Sequence, residues 1–219
     1  MNAEDVVRLF IDGDINRSIV YSLYEYSYMF KRTTVAEVIR FITNEGKVAI
    51  IHSDLANGKS LMLNQIETEL VGRATVYVIK NRYDSALADD LEFISRQKGL
   101  QVILCENYNQ LIDSDVWSII SKYQFSNIKY IFTARSYIND NFFNRVTQDI
   151  GLTSYDLAMY DINELDDTEK IALEKLISSF DLWGKNYSRE GRNRFKKLVR
   201  KRCEIRDVLI DLYESPHVA

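Results

Sequence analysis

The stretch Val48-Ala49-Ile50-Ile51-His52-Ser53-Asp54-Leu55-Ala56-Asn57-Gly58-Lys59-Ser60-Leu61 decides how this chain reads. Its first part is a β-branched apolar run closed by polar residues, the pattern of a strand buried on both faces. From Lys59 to Leu70 the apolar spacing is helical. Between the two, Ser53 to Ser60 fits the phosphate-loop pattern G-x-x-x-x-G-K-[S/T] at every fixed position except the first. Each residue type has a chemical reason. Gly58 lets the backbone approach a phosphate, and the loop N–H groups with the helix N-terminus hold negative charge. Lys59 reaches the β and γ phosphates, and Ser60 supplies a hydroxyl ligand for Mg2+. The candidate nucleotide-binding residues are therefore Ser53, Asp54, Leu55, Ala56, Asn57, Gly58, Lys59, Ser60 and Leu61. Ser53 stands where the pattern has glycine, and a side chain there is expected to restrict a loop that needs positive φ and to weaken affinity. The alternative is an ordinary strand-to-helix turn with a capping serine. The position of Gly58-Lys59-Ser60, directly after an apolar strand and before an amphipathic helix, favours the phosphate loop.

The same strand-then-helix unit recurs downstream. Segments 74–80 and 84–97 form one pair, and 100–105 and 109–124 form another. Segment 128–134 reads as a fourth strand before a shorter helical piece, and 153–162 as a fifth. Apolar strands alternating with amphipathic helices predict an α/β fold: a parallel sheet of about five strands with helices on both faces. Ligands then sit at the carboxyl ends of the strands. Residues 1–45 read as an N-terminal helical segment, with Val35, Val38, Ile39 and Ile42 on one face of its last helix. Residues 46–163 form the core, and 164–219 read as three helices, a small helical lid.

Two further residues fall at that carboxyl edge. The third strand ends Val102-Ile103-Leu104-Cys105-Glu106-Asn107, which puts an acid where a magnesium ion would be held, so Glu106 joins Ser60 as a candidate metal ligand. Asn107 occupies the position that would polarise an attacking water. An amide is no general base at neutral pH, so turnover is expected to be slow or absent. The alternative for this pair is the end of a strand and the cap of the next helix. The fourth strand ends Phe132-Thr133-Ala134-Arg135, a permanent cation suited to sensing a γ-phosphate, or else a solvated arginine paired with Asp140 or Asp149. Lys59, Glu106, Asn107 and Arg135 are the candidate catalytic set.

Composition removes other classes. The chain has 219 residues, 46% hydrophobic and 27% charged, the balance of a globular protein rather than a disordered one. One proline, Pro216, and eight glycines argue against a turn-rich β sandwich. Cys105 and Cys203 are too few for a disulfide framework, and the acidic N-terminus and short apolar runs are unlike a signal peptide or a membrane span. A cytoplasmic location is expected, with no membrane partner. His52 and His217 are the only histidines, which leaves no zinc site or Ser-His-Asp triad. Residues 185–219 hold ten basic and five acidic residues, leaving eighteen against twenty-seven in 1–184. This basic tail allows contact with nucleic acid, but a solvated face is the commoner outcome, with Phe195, Leu198 and Val199 as its inward stripe. Tyr21, Tyr24, Tyr26, Tyr28 and Phe30 form an aromatic cluster suited to core or interface packing, with one ring available to stack on a base.

Taken in order, the loop at 53–60, the strand ending Glu106-Asn107 and the strand ending Thr133-Ala134-Arg135 resemble the STAND class of P-loop NTPases, over residues 45 to 165. Relatives in that class include NB-ARC, NACHT and bacterial anti-phage defence proteins. The resemblance implies ATP or ADP with Mg2+ at the loop, and a nucleotide switch that drives conformational change and oligomerisation. It further implies a homo-oligomer or fused effector and sensor domains, so the chain is expected to be an excised module or a reduced relative. Three departures touch base identity and hydrolysis: Ser53 for the first glycine, Glu106-Asn107 for a pair of acids, and no proline in the lid segment before Pro216. Two alternatives stand beside it: a catalytically inactive scaffold with the same fold that mediates assembly, and a DNA-associated AAA+-like ATPase.

Overall fold

A computed structural model describes residues 30–44, 46–79, 86–108, 116–122, 127–182 and 188–214. Five strands form one parallel sheet: β1 (Val48–Ser53), β2 (Thr75–Val78), β3 (Gln101–Cys105), β4 (Ile128–Arg135) and β5 (Leu157–Asp161). Their order is β2-β3-β4-β1-β5, every neighbouring pair parallel. This is the predicted α/β architecture. The chain leaves β1 towards β2 at one edge and later returns as β5 on the other side of β1. The carboxyl end of β1 is thus the topological switch point, where open α/β sheets bind ligands.

The strands form because their residues fill both faces. Val48 and Ile50 alternate with Ala49 and Ile51, and all four are 1% exposed or less. On one face Ala49, Ile51, Val102, Leu104 and Ile131 pack against α1 (Thr34–Thr43) and α2 (Lys59–Glu69) through Val35, Val38, Ile39, Ile42, Met62 and Ile66. On the other face Ile50, Ile103, Tyr130 and Phe132 pack against α3 (Leu87–Ser95), α4 (Val116–Lys122) and α5 (Ser136–Ile150). There Trp117 meets both Tyr108 and Phe132 edge to face, with centroids 5.8 and 5.4 Å apart.

Two elements differ from the sequence reading. The piece after β4, expected to be short, is the fifteen-residue helix α5, closed by Gly151 at φ 72°. The fifth strand is shorter than 153–162, because Asp156 accepts hydrogen bonds from Thr153 N (3.0 Å) and Oγ1 (2.6 Å) and folds that stretch into a turn. Lys47 also pairs with Asp156 at 2.9 Å. The Thr153 bonds, with help from Lys47, hold this carboxyl down at about 2.

The described residues divide into two compact units. One is Thr34–Asp54 with Lys59–Ile162, the sheet and its helices. The other comprises residues 30–33, Leu55–Gly58 and residues 163–214, with helices α6 (Asp167–Ser179), α7 (Arg189–Lys201) and α8 (Ile205–Glu214). Its α6 starts with a reciprocal capping box: Asp166 accepts from Glu169 N, while Glu169 accepts from Asp166 N. Among the described residues, no helix is long and apolar enough to cross a membrane. Tyr21, Tyr24, Tyr26, Tyr28, Lys185, Pro216 and His217 lie outside the described residues, as does most of the 1–45 segment.

Candidate functional site

The sheet unit brings together the side chains expected at its carboxyl edge. Ser53 ends β1 opposite Arg135, which ends β4. Cys105 stands opposite Phe132, so Glu106 and Asn107 emerge beside Thr133, whose hydroxyl accepts the Asn107 N–H at 3.0 Å. Asn107 is left-handed at φ 53°, a conformation asparagine tolerates better than most residues, and this buried threonine fixes the turn. From the start of α2, the Ser60 hydroxyl donates directly to the Glu106 carboxylate. A hydroxyl oxygen and a carboxylate are hard ligands, and such a pair is the share that Mg2+ takes from protein when phosphates supply the rest.

Lys59 fills its three donor positions on the loop itself: Ser53 O at 3.0 Å, Ser53 Oγ at 3.0 Å and Asp54 O at 2.8 Å. Burial and then the nearby positive charge of Arg135 push its ammonium down to about 8, against the pull of Asp54 and Glu106. Two cations and a carboxylate-bound hydroxyl therefore converge on one sheet edge. A phosphate placed there would relieve the repulsion that lowers Lys59.

Ser53 does not behave as its departure from the glycine pattern suggests. It keeps strand backbone, is fully buried, and its hydroxyl both accepts from Lys59 and donates to Asp54 O at 3.0 Å. The left-handed residues are Ala56 (φ 69°) and Gly58 (φ 83°), so the loop turns at its tip and not where the first glycine is missing. The single histidine of the strand has a structural partner, with His52 Nδ1 3.2 Å from Ser136 Oγ.

The tip, Leu55–Gly58, belongs to the helical unit. Asn57 is fully buried there. Its Nδ2 donates to Asn163 Oδ1 (3.0 Å) and Glu204 Oε2 (3.2 Å), and its Oδ1 accepts from Arg206 N (3.2 Å). Arg32, 4% exposed, donates to Asn57 O at 3.3 Å, Glu164 O at 3.1 Å and Glu169 Oε1 at 3.1 Å. Burial pushes the Arg32 guanidinium below its ordinary range, and Glu169 opposes that shift. Sequence reasoning did not single out Arg32, Asn163, Glu169 or Glu204. The only trace was the Asp166 and Glu169 spacing that marks the start of α6.

Four bases of the tail pair within its own unit. Lys196 and Arg200 reach Glu174 at 3.6 and 2.6 Å, Arg192 reaches Asp181 at 3.2 Å, and Arg202 makes a two-pronged contact with Asp211 at 2.9 and 3.1 Å. Phe195 and Val199 are buried as expected, but Leu198 is 40% exposed and falls outside the inward stripe.

No family model matches the chain, and no curated protein matches its sequence. Solved structures do match its fold. Hsp104, determined with ATPγS and casein, superposes with a TM-score of 0.54 at 10% identity, over 82% of this chain and 35% of its own. ORC1 of Aeropyrum pernix, determined in complex with DNA, gives 0.52 at 11% identity, over 85% of this chain and 60% of its own. The chain spans about a third of the one and three fifths of the other. Over these spans the chain shares with Hsp104 and ORC1 the α/β fold of a parallel sheet flanked by helices.

Proposed function

We propose that this chain is a nucleotide-binding switch module that takes ATP or ADP with Mg2+ at residues 53–61 and hydrolyses slowly or not at all. The observation that carries the reading is the Ser60 hydroxyl on the Glu106 carboxylate, with Lys59 and Arg135 at the same strand ends. Loop N–H groups and the start of α2 receive the phosphates, Lys59 turns from the loop oxygens to the β and γ phosphates, and Ser60 and Glu106 hold the metal. A metal held by Ser60 and Glu106 would supply positive charge against the phosphates. Asn107 orients a water but cannot take its proton, and Arg135 is the cation closest in role to a γ-phosphate sensor.

Within this reading the narrower assignment is a STAND-type switch, supported by the order of the loop, Glu106-Asn107 and Thr133-Ala134-Arg135. It carries with it a cytoplasmic homo-oligomer or a larger polypeptide with effector and sensor domains, a core at 46–163, a lid at 164–219, and a role in anti-phage defence. The likeness to ORC1 supports a second reading, a DNA-associated AAA+-like ATPase. The ion pairs of Lys196, Arg200, Arg192 and Arg202 leave less free positive charge for it.

Thermal melting with ATP, ADP and GTP, each with and without Mg2+, tests the reading. We expect a rise in melting temperature with adenine nucleotides that weakens without Mg2+ and in Glu106→Gln. No rise with any nucleotide would reduce the fold to an assembly scaffold.

A further inference from the structure

The phosphate chemistry of the loop uses backbone N–H groups, Lys59 and Ser60, and gives the side chain at position 57 no task. Yet the Asn57 side chain is fully buried and makes three hydrogen bonds. It uses both amide donors, on Asn163 and Glu204, and one acceptor position, on the Arg206 N–H, with no exposed surface. The amide orientation is fixed by chemistry: reversed, its NH2 would face the Arg206 N–H and its oxygen the Glu204 carboxylate. Its two neighbours are the left-handed residues of the loop, and Ala56 at φ 69° is a conformation that persists only where the surroundings over-determine it. The groups that hold it come from the start of the segment after β5 and from the first turn of α8, more than a hundred residues away in sequence. A Cβ added at Gly58 would lie 3.6 Å from Ile205 Cδ1, so α8 begins close beside the loop.

We propose that Asn57 is a positioning residue, a latch by which Asn163, Glu204 and Arg206 hold the loop tip in its phosphate-receiving shape. Through it, occupancy of the loop alters the order of α8. The inference rests on the nucleotide reading above. It assigns regulation of that site to a side chain that does not touch the nucleotide. Preorganisation of the tip is its contribution to affinity, because an untethered loop must be ordered on binding.

The test is a donor–acceptor reversal in the full chain. Asn57→Asp keeps the acceptor for Arg206 N–H but sets a carboxylate against Glu204. Adding Glu204→Gln supplies a donor and restores a bonded pair. Mg-ADP affinity by calorimetry and hydrogen–deuterium exchange of peptides covering 163–182 and 188–214, with and without Mg-ADP, are the readouts. In the wild type Mg-ADP should slow exchange in both the loop and α8. Asn57→Asp should bind about tenfold more weakly, the order of one lost charged hydrogen bond, and lose the α8 response, and the double variant should recover both. Where Asn57→Asp does not fold, Glu204→Ala should show the same losses in smaller measure. Unchanged affinity and α8 response in the variant, or no recovery in the double variant, would overturn the latch while leaving the nucleotide reading intact. Absence of Mg-ADP and Mg-ATP binding to the wild type would overturn both.

Discussion

The two halves of the loop at 53–60 are built in opposite ways. At its ends, Ser53 closes β1, Asp54 follows it, and Lys59 and Ser60 open α2, and they present charge: an ammonium lowered to about 8, a hydroxyl on a carboxylate, and an arginine at the end of the neighbouring strand. At its tip, Leu55–Gly58 presents backbone, and its one polar side chain is buried among Asn163, Glu204 and Arg206. In the proposed nucleotide site the ends would carry the chemistry and the tip the geometry. A tight phosphate site needs both, because charges without a shaped backbone bind any anion weakly, and backbone N–H groups alone lack the charge that Lys59 adds.

The largest effect is expected at the tip. Arg32→Met leaves Glu169, 2% exposed, without its cation and removes the donors of the Asn57 and Glu164 carbonyls. Breaking a buried pair in this way costs about 3–5 kcal/mol. Urea unfolding followed by exchange in residues 163–214 should show that loss in the helical unit, and a change below about 1 kcal/mol would show that the pair is not structural.

The next effect belongs to the ends and is a matter of pH. With Lys59 at about 8 in the free protein, phosphate affinity is present below that pH and lost as pH rises through it. Between pH 7 and 9 the protonated fraction falls about tenfold, and nucleotide affinity measured by calorimetry should fall with it. Stability of the nucleotide-free chain runs the other way. Lys59 is lowered on folding, so from about 8 to its ordinary value near 10.5 the unfolded chain binds more protons and stability rises with pH. An affinity that is flat from pH 7 to 9 would remove Lys59 from the site.

The smallest effect sharpens the contrast. Ala56→Gly removes the steric cost of a left-handed alanine, about 1–2 kcal/mol. It also gives the unfolded chain more freedom to lose, so a net gain of about 0.5 kcal/mol is expected in melting experiments. A loss there would mean that the tip is not strained at Ala56.

The ends of the loop were legible in the sequence because their chemistry is local: Gly58-Lys59-Ser60 follows an apolar strand, and Glu106 and Arg135 each end another. The parallel sheet was legible for the same reason, since Val48–Ile51 and Val102–Leu104 are apolar on both faces. The length of α5 was not, because its first turns, Ser136 to Asn141, are mostly polar and give only a weak helical stripe. The tethering of the tip was not legible. Asn57 is one of the variable positions of the loop, and its partners Arg32, Asn163 and Glu204 are joined to it by the fold alone. Ser53 was misjudged, because a pattern of residue types does not say at which residue a loop turns, and here it turns at Ala56 and Gly58.

The central claim is that charge at the end of β1 binds nucleotide, and calorimetric titration of Mg-ADP into the wild type and Lys59→Ala tests it most directly. We predict saturable binding to the wild type, which at about 100 times its dissociation constant would add roughly 2.7 kcal/mol of stability, and loss of that binding in Lys59→Ala with the fold retained. Equal binding by the two proteins, or none by the wild type, would contradict the account.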